Sequence, residues 1–174
     1  MMALSKKVIA IVLMIVASHG YAGDTVHHGF KAVYVDKTNN VHIVLHDGRD
    51  KTISSSGNAA NATLAPDRRS AAWLVRNAWT AEGDAGPGAS RLAIYRNGRL
   101  RYIKCEPFIR DYWFWLGGRQ IAIDCGGRHF AGTLKLHDAQ TLRTIDAIVQ
   151  ADVPEEQRPA WSRPDSDKAT AAPP

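Results

Sequence analysis

Histidine is the first residue type in this chain that could do metal or proton chemistry. His27 and His28 are adjacent, and His42 and His46 stand four apart in the run VHIVLH. On a helix that interval would bring two imidazoles to one ion. Here apolar and polar residues alternate, so the run reads as a strand, along which four residues span roughly 13 Å at ~3.3 Å each. The two rings are then too far apart to share a metal, and His27-His28 have no identifiable third ligand. Solvated surface histidines are the expectation. Ser54-Ser55-Ser56-Gly57 lacks the glycine spacing of a nucleophile elbow. Asp165-Ser166-Asp167 is a fragment of a calcium loop without its other ligands. The glycines from 83 to 88 open no helix and make no phosphate loop. Asn61-Ala62-Thr63 matches a glycosylation sequon, which matters only in a eukaryotic secretory host. No cofactor or metal is assigned, and no enzymatic activity is expected.

The N-terminus bears on compartment. Lys6 and Lys7 precede an apolar run from 8 to 17, and Gly20 and Ala22 suit a signal-peptidase site. The run is shorter than the about 20 residues that span a bilayer, so residues 1–22 read as a cleavable signal peptide and the remainder as periplasmic or secreted. Losing Lys6 and Lys7 lowers the formal charge from +5 to +3. So mildly basic a surface argues against a nucleic-acid partner. Both cysteines, Cys105 and Cys125, remain in the exported chain, where a disulfide is the default. Two separately buried thiols are the alternative.

The rest of the chain is organised as short strands. Residues 31–36, 41–46 and 51–54 form a three-stranded meander with turns at Lys37-Thr38-Asn39-Asn40 and Asp47-Gly48. A second group has strands at 60–65, 70–76, 91–96 and 99–104, with Pro66-Asp67 and Asn97-Gly98 turns and a long loop at 77–90. Arg99, Arg101 and Lys104 lie on the last strand of that group, where charge discourages aggregation at a sheet edge. A third group has strands at 110–116, 119–125 and 132–137, and one at 142–149 whose end could instead be a short helix. Residues 154–174, with five prolines among charges, read as an extended tail.

The run YWFWLGGRQIAIDC at 112–125 is central to this pattern. Tyr112 and Phe114 point to one face of their strand and Trp113 and Trp115 to the other. Packing between neighbouring sheets is the first reading of a strand apolar on both faces. A surface that stacks sugars or peptides is the second.

The second and third groups overlay. Ala65-Pro66-Asp67-Arg68-Arg69 falls on Trp115-Leu116-Gly117-Gly118-Arg119, Ala71-Ala72 on Ile121-Ala122, and a third echo appears at Trp161-Ser162-Arg163-Pro164-Asp165. Spacing of roughly 47–50 residues suits propeller blades. These residues resemble the TolB-type β-propeller repeat, whose blade turn reads W-S-P-D-G-[KR]-x-I-A. Pro66-Asp67 keeps its Pro-Asp, Gly118-Arg119-Gln120-Ile121-Ala122 its Gly and I-A, and 161–165 its Trp, Ser, Pro and Asp. The resemblance implies an all-β fold of stacked antiparallel four-stranded propeller-like blades, about two complete plus one partial. A closed propeller typically has 4–8 blades, so this is not a full closed one. Residues 23–153 would make the blade domain, with Trp161 docking on the N-terminal sheet.

The expected function is a non-catalytic exported protein-binding or scaffold module with an envelope or secreted partner. It would not span the membrane after cleavage, and a homo-oligomer is left open. The alternative is a small-molecule or glycan binder using the 77–90 loop and exposed aromatics. The candidate binding residues are Trp79, Trp113, Trp115 and Trp161.

Overall fold

A computed structural model describes residues 29–77, 88–126 and 131–164. The expected signal segment, Trp79 with most of its loop, and the end of the tail lie outside them. The described residues form an all-β, antiparallel structure that does not close on itself. Strands β1 (Phe30–Val35), β2 (Val41–Leu45) and β3 (Asp50–Thr52) make one sheet in sequence order. The second sheet is a seven-strand meander of β4 (Ala59–Leu64), β5 (Ser70–Arg76), β6 (Ala89–Arg96), β7 (Arg99–Trp115), β8 (Gln120–Cys125), β9 (Thr133–Asp138) and β10 (Thr144–Val149).

Strand β7 explains how one meander makes two blades. Residues 99–104 register with β6, whereas β8 pairs only with the part from Ile109 onward. The four-strand runs β4-β5-β6-β7 and β7-β8-β9-β10 therefore share a strand that changes partner along its length. The sequence suggested a break between Lys104 and Arg110. Instead β7 continues through all 17 residues. The last strand of the second run is extended at 144–149, so the helical alternative fails there.

Side-chain alternation then builds the layers. Ala71, Trp73, Val75, Ala93 and Tyr95 face Val41 and Ile43 of the three-stranded sheet. The intervening residues Ala72, Leu74, Leu92 and Ile94 share a core with Tyr112, Phe114, Ile121 and Ile123. Trp113, Trp115 and Ala122 face the other way, with Leu134 and Leu136. A period of two on strands apolar on both faces gives this result: each inner strand supplies two cores. The Tyr112 hydroxyl ties the two blades, donating to the carbonyl oxygens of Asn61 and, at 2.7 Å, Ala72.

The overlaid turns agree at one position and differ at two: Leu116 and Gly117 have φ of 48° and 66°, whereas Pro66 and Asp67 are not left-handed. Arg68 and Gly118 occupy the same place after β4 and β7, with φ of 55° and 94°. Gly118 sits against the Ala65 turn, where an added Cβ would lie 3.1 Å from the Ala65 Cβ and the Asp67 carboxyl carbon. A side chain is thus disfavoured both by backbone conformation and by space. Trp161 opens no strand among the described residues. It belongs to a 3₁₀ turn, Ala160–Ser162, following another at Glu155–Gln157. Nor does it dock on the N-terminal sheet: its ring covers the outer face of the second blade, at the opposite end of the stack. Among the described residues, no further sheet lies upon that face, which carries Trp113 and Trp115.

Candidate functional site

The tryptophans singled out by sequence are brought together in part. Trp113, Trp115 and Trp161 are 9%, 9% and 6% exposed and form one cluster. The Trp113 indole donates to the Trp161 carbonyl at 2.9 Å, and the Trp161 indole donates to the Asp146 carboxylate at 3.0 Å. These rings pack against each other and offer no open face for stacking a sugar. Trp79 lies outside the described residues.

Cys105 and Cys125 are joined as a disulfide with their Cα atoms 5.6 Å apart. Cys105 follows Lys104, after which the β6 ladder shifts register, and Cys125 faces Ile109, the residue that meets both Ala89 of β6 and the end of β8. The bridge therefore spans the point at which β7 changes partner, within the core between the blades.

The histidines divide. His42 is no solvated ring: Nδ1 lies 2.7 Å from Asp50 and Nε2 3.2 Å from Asp36, and Tyr34 stacks on it at 4.9 Å between centroids. Tyr34 also donates its hydroxyl to Asp50. The Asp50 hydrogen bond first, then that of Asp36, raise the His42 pKa and favour the imidazolium. Asp36 is held down to about 2, chiefly by the Asn40 N–H. With both nitrogens engaged, His42 has no lone pair free for a metal or a substrate proton. His137 is buried, with Nδ1 against the Leu142 carbonyl at 3.2 Å and Nε2 unpartnered. Burial lowers its pKa and keeps the ring neutral. Among the described residues, no group of three or more metal-ligating side chains is placed to hold an ion.

A charged cleft missed by the sequence reading lies at the turn end of the stack. Two adjoining hollows of about 420 and 320 Å³ share Arg96, Asn97 and Gln140. Arg69 and Tyr95 line the larger, and Arg99 and Arg101 the smaller. The β6–β7 hairpin places Arg99 directly opposite Arg96, and Arg101 opposite Ile94. Like charges directly across a ladder are destabilising, so this arrangement needs a counter-charge. Part of it is internal: Arg96 Nη1 donates to Asp67 at 3.0 Å and to Ser70 Oγ at 2.6 Å. Arg101 donates to the Gln140 carbonyl, pinning the hairpin to the β9–β10 turn of the other blade. The available signal was the Asn97-Gly98 turn, because a two-residue connection fixes which residues face each other. Arg69 and Gln140 come from turns far away in sequence and arrive only through stacking.

No family model matches the chain, and no curated protein matches it by sequence. Among solved structures it is similar to the β-propeller domain of the Trilobed protease from Pyrococcus furiosus, described as having an open velcro topology. The two are 16% identical with a TM-score of 0.46 over 67% of this chain and 36% of that one. This chain spans little more than a third of that one, so the protease's activity stays with the protease.

Proposed function

We propose that the chain is a non-catalytic, exported binding module, and that a protein partner adds an extended segment to its sheet along the outer edge of β10. One observation carries this reading. β10 ends the seven-strand order, registers only with β9, and leaves Ile145 and Val149 51% and 46% exposed. Long exposed edges with apolar residues invite pairing, and folded proteins commonly blunt them with lysine or proline. Residues 144–149 contain neither. Strand addition takes affinity from main-chain hydrogen bonds and specificity from alternate side chains, which here would be Ile145, Ala147 and Val149. The TolB-like turns belong to the same reading, since propellers serve widely as binding scaffolds.

The test is affinity capture from periplasmic extract and culture supernatant, comparing the native chain with an Ile145→Lys/Val149→Lys double variant. A partner held by the native chain and lost by the variant is the expected result. Equal capture by both, or nothing above background, would refute the assignment. Sedimentation of the two forms identifies the case in which the added strand comes from a second copy.

A second reading, a small-molecule binder, is favoured by a different feature, the arginine cleft. Its other support, the 77–90 loop with Trp79, falls almost wholly outside the described residues.

A further inference from the structure

We propose that the arginine cleft at the turn end of the stack binds a phosphate dianion, free or as the head of a small phosphate ester. This goes beyond the edge-strand reading and does not depend on it. The argument begins with charge. Arg69, Arg96, Arg99 and Arg101 line the joined hollows, and no lining residue is acidic. The carboxylates beside it are Asp67, paired with Arg96, and Asp138, whose charge Arg96 also feels. Asp138 is already engaged by the N–H groups of Gln140 and Thr141 and by the Thr141 hydroxyl. Four cations against two anions leave two positive charges in excess, the complement of a phosphate carrying about −1.5 to −2 near neutral pH.

Hydrogen-bonding capacity agrees. Among the described residues the guanidinium groups of Arg69 and Arg99 have no ion-pair partner, and Arg96 Nε is buried with no acceptor. The planar fork of arginine fits phosphate oxygens two at a time. Shape sets the upper size. A bare phosphate would fill only part of about 420 Å³, whereas small-ligand sites run from about 300 Å³ upward. The remaining wall carries Phe30 and Tyr95, whose rings lie 5.9 Å apart. An apolar body esterified to the phosphate can lie there.

The experiment is titration calorimetry of the full chain in chloride buffer with inorganic phosphate, phenyl phosphate and citrate. Saturable binding of one phosphate or phenyl phosphate per chain, with a dissociation constant below about 1 mM, is expected. Tighter binding of phenyl phosphate assigns an ester, and equal binding assigns free phosphate; either supports the site. Arg99→Gln, which removes no side-chain hydrogen bond or ion pair among the described residues, should weaken binding about tenfold or more while the fold persists. Arg69→Gln repeats the test from the other hollow. Lys104→Gln, on the far half of the same strand segment, removes equal charge and should change affinity little. No saturation by about 10 mM phosphate or phenyl phosphate, stronger binding of citrate than of both, or equal weakening by Lys104→Gln would overturn the proposal.

Discussion

His42 and His137 show how neighbours decide what one residue type does. His42, expected to be solvated, is clamped between two carboxylates, and His137 is buried. Their effects on stability have opposite sign. The folded His42 pKa is raised by Asp50 and Asp36, so the folded state holds its proton more tightly than the unfolded chain. That contribution is fully present below the unfolded value near 6.5 and disappears as pH rises through the folded value. His137 is lowered by burial. Its contribution is present above the unfolded value and lost as pH falls through the folded one. Melting temperature should therefore carry a decline as pH rises from the unfolded value near 6.5 through the folded His42 value, and His42→Gln should remove that decline. An unchanged pH profile in the variant would show that the clamp is not formed in solution. Asp36 and Asp50 could not be matched to His42 from sequence. Asp50 is brought across by the β2–β3 register and Asp36 by a turn, and neither spacing has the mark of a local motif.

At the scale of elements, alternation at 112–115 was legible because it depends only on the period of a strand. Trp113 and Trp115 indeed face away from Tyr112 and Phe114. What covers each face was not legible, because it depends on contacts between distant segments. The Ala160–Ser162 turn illustrates this. Its tryptophan seals the last apolar face with one ring and two hydrogen bonds. Trp161→Ala should destabilise the fold by about 3–5 kcal/mol, since the ring is buried among large neighbours and the gap cannot close. Urea unfolding measures it, and an unchanged midpoint would mean that the turn is not docked. The disulfide acts on a different element, the bend of β7. It closes a loop with a sequence separation of 20, for which the chain-entropy treatment gives about 3 kcal/mol. Unfolding with and without reductant should differ by about that amount. Titration of the denatured, unreduced protein should find no free thiols.

For the whole molecule, the layered order predicts how it comes apart. β5 is buried on both faces through Val75, and β6 and β8 are nearly so. They contribute to the core on each side, so they open only when both neighbouring layers are lost. β3 is exposed throughout and β10 nearly so. Each is the last strand of its sheet, held by one ladder. Local opening follows buried contact, from near zero at frayed edges up to the global stability in the core. Amide exchange should therefore be slowest in β5, β6 and β8 and fastest in β3 and β10. β7 should be graded, with stronger protection where it pairs with β8 around Tyr112–Trp115 than toward Arg99, whose side chain meets the open cleft. The same gradient places the proposed binding surfaces at the mobile periphery and the shared strand in the rigid interior. A partner strand on β10 should slow exchange along Thr144–Val149 and leave β5 unchanged. Phosphate in the cleft should instead slow the β6–β7 hairpin at Asn97 and Gly98. Exchange that is uniform across all ten strands would show that the layers unfold as one unit and that the stack has no weak edge to which a partner strand could add.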